Sequence, residues 1–106
     1  MLGKLGALLP LARYRVAGRS MTPGLVEGER VLVNKAAYWF ARPRPDEVVV
    51  LRDPRTPERL LIKRIDRAAS AEAWEVAGDN PDASTDSRAF GPVSRGHIVG
   101  KVWLHY

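Results

Sequence analysis

This 106-residue sequence contains residue types that can form a nucleophile and its base, and the candidate nucleophile is Ser20. It lies in "VAGRSMTPGL", where glycines and a proline interrupt two apolar runs. A hydroxyl in such a turn gains little from packing, so we interpret it as placed to meet a reactant. Because a serine hydroxyl is a poor nucleophile at neutral pH, this interpretation requires a nearby base.

Lys63 is the first candidate for that base. It lies in "LLIKRID", a run that predicts a β-strand. Residues two apart in a strand share a face, so Leu61, Lys63 and Ile65 point the same way. Desolvation by these neighbours and the like charge of Arg64 would both lower the pKa of the lysine. A neutral Lys63 could then take the Ser20 proton. The structural alternative is a lysine that reaches solvent at a sheet edge.

A histidine base is the second way to activate Ser20. His97 and His105 both lie in the C-terminal run "HIVGKVWLHY". A histidine in an apolar strand is more often an ordinary strand residue than a member of a Ser-His-Asp triad. We therefore favour a dyad of Ser20 and Lys63.

A third polar segment is "GDNPDASTDSRAFGPV", residues 78–93. Its glycine, asparagine and proline residues favour tight turns. Four side chains in it can bond the backbone or a nearby cation: Asp79, Ser84, Asp86 and Ser87. In isolation this composition is also typical of a loop that caps only its own turns. Together with the serine and lysine segments, it indicates a third part of one site.

The segments "GRSMTPGL", "LIKRID" and "GDNPDASTDSRAFGPV" resemble, in order and spacing, those of the signal peptidase I family of serine/lysine endopeptidases. The resemblance implies that Ser20 is the nucleophile, followed by Met21, and that Lys63 is the general base. At the position of Gly18, many members carry a serine, and the hydroxyl of that serine joins the oxyanion hole. With glycine there, we expect the backbone N–H of Ser20 to be one oxyanion donor.

The resemblance also assigns roles within the polar loop. Ser84 is expected to orient the Lys63 amine. Asp86 and Arg88 are expected to form a charged pair that braces the loop. In the family, a turn brings this loop against the dyad, and the residues here that match that turn are Gly78, Asp79 and Asn80.

The family generally carries N-terminal membrane anchors and an extra β-domain, and we recognise neither in this sequence. A short member with "GDNP", "STDSR" and "FGPV" is similar to the nickel-type superoxide dismutase maturation proteases, which are understood to remove an N-terminal propeptide. The resemblance thus implies removal of a propeptide or leader from a precursor protein bound as an extended strand, with no metal or organic cofactor. The alternatives are a signal peptidase I acting on secretory preproteins and a relative of the self-cleaving repressors.

Short β-rich runs separated by turn residues predict a mainly β, compact antiparallel fold of the signal-peptidase type, with at most short helices. These runs are "RYRVAG", "RVLVNK", "EVVVLR", "LLIKRID", "AWEVAG" and "HIVGKVWLHY". We expect one peptidase domain over residues 1–106, with an N-terminal segment at 1–12 and a catalytic β domain at 13–106. The helical candidates are residues 4–12 and 34–40.

The composition excludes some classes of function and bears on which partners are favoured. The chain has no Cys, which excludes thiol catalysis and cysteine zinc sites. Seventeen Lys and Arg against twelve Asp and Glu give a net charge of +5, which favours acidic partners. Because these cations are interspersed with acids, as on a solvated surface, we do not expect nucleic-acid binding. A non-catalytic basic β-barrel that binds nucleic acid or protein is the alternative from another class.

Two segments bear on membrane contact. The apolar run at residues 5–12 is far shorter than the roughly 20 residues that span a bilayer, so we expect a cytoplasmic protein with at most peripheral contact at the inner membrane. In "AAYWFARPRP", an aromatic patch precedes two arginines that suit anionic head groups. Its members are Tyr38, Trp39, Phe40, Arg42 and Arg44. Ordinary packing is the alternative there, and we interpret Trp74 and Trp103 as core.

Overall fold

A computed structural model describes residues 10–83 and 90–106. Seven strands form one sheet, in which every pairing is antiparallel. The strands are β1 (Leu11–Arg15), β2 (Arg30–Asn34), β3 (Val48–Asp53), β4 (Thr56–Ser70), β5 (Ala73–Ala77), β6 (Val93–Ser94) and β7 (Ile98–His105). Short 3-10 turns lie at Pro81–Ala83 and Arg95–His97. The prediction of a mainly antiparallel β fold is confirmed.

The spatial order of the strands is β1-β2-β7-β3-β4-β5-β6. β7, the last strand in sequence, therefore lies between β2 and β3 in the middle of the sheet. At Gly100 of β7 the neighbouring backbone comes very close: a Cβ atom there would lie 2.5 Å from the carbonyl oxygen of Asn34. Glycine at this position allows β2 and β7 to pack side by side.

Each of the six predicted β-rich runs overlaps a strand, but the two helical predictions fail where the structure describes them. Asn34 is the last residue of β2, and residues 35–40 form a turn and bend because the Asn34 side chain accepts a hydrogen bond from the Ala36 N–H at 2.9 Å. β1 begins at Leu11, so the end of the helical candidate at 4–12 is a strand instead. The first nine residues lie outside the described part.

Two apolar clusters pack against the sheet. The first consists of Tyr38, Val49, Leu51, Ile65, Trp74, Val76 and Val93. The second consists of Val16, Met21, Leu25, Val31, Val33 and Val50. Because side chains alternate along a strand, β3 contributes to both clusters, and the two cores share it as a common wall.

The two strand tryptophans have different surroundings. Trp74 is buried in the first cluster, as predicted. Trp103 is 65% exposed, so its assignment to the core is wrong. The reason is that β3 pairs with β7 only from Ile98 to Lys101, so Trp103 lies beyond the part of β7 that is flanked on both sides. In the described ranges we find no helix with the length and hydropathy needed for a bilayer span.

Candidate active site

Ser20 lies in the connection between β1 and β2. The preceding Gly18 has a φ of +79°, a left-handed conformation that glycine adopts without strain. The following Met21 is fully buried in the second cluster, and its carbonyl oxygen accepts a hydrogen bond from the Leu25 N–H at 2.9 Å. The sequence thus combines a flexible turn with an apolar anchor directly beside the serine, while Ser20 itself stays partly exposed.

Lys63 lies in β4, opposite Val49 of β3, and is only 3% exposed. The pairing of β4 with β5 begins at the next residue, so Lys63 lies where β3, β4 and β5 meet. The alternative in which this lysine reaches solvent at a sheet edge is therefore wrong. Burial of an ammonium group is unfavourable, which is the physical reason to look for a function here.

Ser20 and Lys63 line the same cleft, which has a volume of about 380 Å³. Residues 14–20 form one wall and residues 59–63 of β4 form another, while Val31 and Val50 contribute apolar surface. The fold thus brings the predicted nucleophile and the predicted base to one surface depression, although three strands separate β1 from β4 in the sheet.

The backbone around Ser20 suits an oxyanion hole. Within residues 10–83 and 90–106, no acceptor is hydrogen-bonded to the N–H of Ser20. Gly18 also lines the cleft, and no atom lies within 4 Å of the place that its Cβ would take. As far as the described residues show, this donor is therefore unpaired, which is compatible with the expected role of the Ser20 N–H as an oxyanion donor.

The turn at residues 78–80 packs directly against the Ser20 turn. The backbone N–H of Asn80 donates to the carbonyl oxygen of Ser20 at 2.8 Å. Its side-chain amide donates to the carbonyl oxygen of Arg19 at 3.1 Å. Asn80 thus holds two successive carbonyl groups of the serine turn, and Gly78 connects it to the end of β5.

Arg64, the neighbour of Lys63, fixes the other end of this turn. Its Nε and Nη2 atoms donate to the two carboxylate oxygens of Asp79 at 2.8 and 2.7 Å. Its Nη1 atom donates to the carbonyl oxygen of Asp46 at 2.8 Å. The guanidinium group holds the pKa of the Asp79 carboxyl below its usual value, although partial burial acts in the opposite direction.

This pairing corrects one part of the sequence interpretation. Arg64 was expected to act on Lys63 as an uncompensated like charge, whereas its charge is offset by the Asp79 carboxylate. The alternation of β4 already indicated that Arg64 and Lys63 point to opposite faces. What the sequence could not show was which acid would meet the arginine.

Three predicted site residues, Ser84, Asp86 and Arg88, lie outside the described residues, so their roles stay predictions.

The two histidines are both bonded away from Ser20. His97 bonds to the Ser94 hydroxyl through Nδ1 at 3.0 Å, and His105 bonds to a carboxylate oxygen of Glu29 at 2.6 Å. Neither histidine lines the cleft, so neither is placed to serve Ser20 as a base.

The aromatic segment divides into a buried and an exposed part. Tyr38 is buried in the first cluster and its hydroxyl donates to Glu47 at 2.8 Å. Burial and the Glu47 carboxylate raise the pKa of this tyrosine. Of the two alternatives for this segment, Tyr38 therefore fits ordinary packing. Trp39 and Phe40, by contrast, are 63% and 97% exposed.

Comparison with known proteins agrees with this geometry. The family described as signal peptidase, peptidase S26, matches residues 5–66 and 70–106. The chain is 35% identical to mitochondrial ATP-independent inner membrane protease subunit 1a of Arabidopsis thaliana, over 89% of this chain and 69% of that protein. It is 33% identical to mitochondrial inner membrane protease subunit 2 of Schizosaccharomyces pombe, over 82% of this chain and 59% of that protein.

A further similarity is to signal peptidase I of Aquifex aeolicus, with 36% identity over 49% of this chain and 20% of that protein. The chain thus spans between a fifth and about two thirds of the length of these three relatives.

The Arg64–Asp79 pair generates a test of how the site is held together. Because Arg64 lowers the pKa of Asp79, the pair stabilises the fold above the ordinary carboxyl pKa and this contribution is lost as pH falls through the lowered value. We expect Asp79→Asn to reduce the free energy of unfolding by about 1–3 kcal/mol at pH 7, and by less at pH 3. Urea unfolding at both pH values measures this difference.

Glu72→Gln is the matched control, since it removes an exposed carboxylate 3.8 Å from Arg42. We expect Glu72→Gln to reduce the free energy of unfolding by at most about 1 kcal/mol. Equal effects of the two substitutions at pH 7 would show that the Arg64–Asp79 pair does not hold the site.

Proposed function

Because the chain belongs to the signal peptidase family, peptidase S26, we propose that it is a serine endopeptidase in which Ser20 and Lys63 form the catalytic dyad. The observation that carries the proposal is that a turn serine and a lysine only 3% exposed line one cleft. The family match supports a hydrolase, and the cleft supplies a nucleophile and a base for peptide hydrolysis.

The first half of the reaction forms an acyl-enzyme. The neutral amine of Lys63 takes the proton from the Ser20 hydroxyl as Oγ attacks the scissile carbonyl carbon. The resulting oxyanion accepts a hydrogen bond from the Ser20 N–H. When the intermediate collapses, protonated Lys63 gives its proton to the leaving amine, and the new amino terminus departs.

The second half hydrolyses the ester. Lys63 takes a proton from water, which attacks the acyl carbon, and the proton then returns to the Ser20 oxygen as the carboxylic acid leaves. By the family resemblance, Ser84 orients the Lys63 amine during both halves, and Asp86 and Arg88 brace the loop that carries it. Asn80 acts as a positioning residue, because it holds the carbonyl of Ser20 itself.

The substrate binds as an extended strand at the edge of the sheet. β1 is an edge strand, and the residues that continue from it to Ser20 line the cleft. An extended peptide can add to such an edge through backbone hydrogen bonds, which brings its carbonyl groups past the nucleophile. We propose that the peptide is the propeptide of a nickel-type superoxide dismutase precursor. A secretory or membrane-linked leader is the second candidate, since the relatives are named as signal peptidase and inner membrane proteases.

We also propose that the exposed aromatic residues contact a membrane surface. Trp39 and Phe40 are both exposed, and Trp103 lines a neighbouring groove together with Arg42 and Arg44. Exposed aromatic side chains beside arginines suit the boundary between head groups and acyl chains of an anionic bilayer.

The dyad is tested by removing each partner in turn. We expect Ser20→Ala and Lys63→Met to abolish peptide cleavage, because the first removes the nucleophile and the second removes the amine while keeping similar bulk. A serine-reactive acylating probe should label wild type and not Ser20→Ala. The cleavage rate of wild type should rise with pH as Lys63 loses its proton.

Folding must be shown to be intact in the same variants. Since Ser20 lies in a partly exposed turn, Ser20→Ala should leave the melting temperature nearly unchanged. Full activity in that variant, or a rate that stays flat from about pH 5 to 10, would refute the dyad.

The substrate is tested by mass spectrometry of a nickel superoxide dismutase precursor incubated with the protein. We expect cleavage at one bond, at the junction of propeptide and mature enzyme, and none with Lys63→Met. If probe labelling shows an active Ser20 but the precursor stays intact, the dismutase assignment is wrong and secretory leader peptides become the candidate.

The membrane proposal is tested by co-sedimentation with vesicles of anionic and of neutral lipid. We expect Phe40→Ser to reduce binding to anionic vesicles several-fold, because a side chain that is 97% exposed supplies apolar contact without stabilising the fold. Val26→Ser is the control, since Val26 is an exposed apolar residue outside the aromatic segment. Equal binding of wild type, Phe40→Ser and Val26→Ser to anionic vesicles would refute the proposal.

A further inference from the structure

The cleft that holds Ser20 and Lys63 has a strongly one-sided charge. Four arginines line it besides the lysine: Arg15, Arg19, Arg55 and Arg59. Among the residues that the structure describes, no Asp or Glu lines it. A cleft with charges of one sign and low-dielectric walls concentrates the electrostatic potential, so it attracts ligands of the opposite sign.

One of these arginines is already paired. The Arg55 guanidinium donates to both oxygens of the buried Asp53 carboxylate, at 3.1 and 3.0 Å, and its backbone N–H donates to the same group at 2.9 Å. The guanidinium also lies over the ring of Phe90, 5.4 Å from its centroid. Arg55 is therefore a fixed part of the wall, and its charge is largely offset.

The other three arginines of the cleft are not paired in this way. Arg15, Arg19 and Arg59 are exposed, and none forms an ion pair with a carboxylate of the described residues. Elsewhere on the chain, Arg64 and Arg67 are each bonded to an acid, Asp79 and Glu75. The unpaired arginines of the cleft therefore have guanidinium groups available to a ligand.

Their positions surround the path of a bound peptide. Arg15 lies at the end of β1 and Arg19 directly precedes the nucleophile, while Arg59 lies on β4 four residues before Lys63. A strand that follows the β1 edge toward Ser20 would thus pass between arginines on two walls. Carboxylate side chains on that strand would supply the missing partners, with hydrogen bonds of matched geometry.

We propose that the cleft selects peptides with acidic residues near the scissile bond, and that Arg15, Arg19 and Arg59 are its specificity determinants. The proposal rests on the endopeptidase function proposed above, and it adds the chemical class of the substrate. It makes the charge of side chains near the scissile bond a criterion for cleavage.

The test uses peptides that share one cleavable sequence and differ at single positions within four residues on either side of the bond. Each position carries Gln, Glu or Lys in turn. We expect kcat/KM to be about two- to fivefold higher for Glu than for Gln at the responsive positions, and lower for Lys. The preference should shrink at high salt, because exposed charges are screened.

Charge reversal identifies the arginines. Arg59→Glu should invert the preference at the positions that it faces, so that Lys peptides are cleaved better than Glu peptides. Arg30→Glu is the matched control, since Arg30 is an exposed arginine of β2 that does not line the cleft and the change in net charge is the same. Inversion by Arg59→Glu alone supports the proposal, and an equal effect of both variants overturns it.

Binding of the same peptides to Ser20→Ala, measured by fluorescence anisotropy, separates this inference from the catalytic proposal. If wild type cleaves Glu, Gln and Lys peptides equally and the inactive variant binds them equally, the charge preference is overturned while the peptidase stands. If no peptide is cleaved but Glu peptides still bind more tightly, the dyad fails while the acidic ligand preference stands.

Discussion

The bidentate hydrogen bond between Arg64 and Asp79 connects parts of the chain that are far apart in sequence. Arg64 follows Lys63 on β4, and Asp79 precedes Asn80, which in turn holds the carbonyls of Arg19 and Ser20. The lysine strand, the polar turn and the serine turn therefore form one hydrogen-bonded unit. A shift of any one of them would break charge-assisted bonds, so the relative position of Ser20 and Lys63 depends on this pair.

The burial of Lys63 explains why the unit must be rigid. A lysine amine with 3% exposure has lost most of its hydration, which a fold tolerates only where the surroundings are fixed by other interactions. β3 supplies an apolar neighbour, Val49, directly opposite the lysine. On the other side, Met21 is fully buried and prevents the serine turn from moving away from the sheet. The two apolar clusters thus support the two halves of the site separately.

The parts of this structure that could be predicted from sequence are those that local patterns determine. Short β-rich runs between turn residues located β2, β3, β5 and most of β7, and period-two alternation placed Lys63 and Arg64 on opposite faces. The two-residue strand β6 is too short to produce a pattern. The turn at 35–40 contains helix-compatible residues, so its conformation depends on the side-chain bond of Asn34, which composition does not reveal.

In the candidate site, too, some features follow from local patterns and others from long-range packing. Ser20 and Lys63 could be chosen from residue type, their surroundings and the family resemblance, because these are local properties of each segment. The partner of Arg64 and the exposure of Trp103 depend on which strands become neighbours in the sheet. Such neighbours are set by long-range packing, and the insertion of β7 between β2 and β3 is a feature that no local pattern specifies.

That insertion makes the relative placement of the Ser20 turn and the Lys63 strand depend on β7, which follows both in the sequence. β2 and β3 have no pairing with each other, and β7 joins the part of the sheet that carries Ser20 to the part that carries Lys63. A nascent chain that has left the ribosome only as far as β6 therefore has two unconnected half-sheets and an incomplete cleft wall. β7 follows both half-sheets in the sequence, so the walls that carry Ser20 and Lys63 form one cleft only after β7 has paired with both β2 and β3.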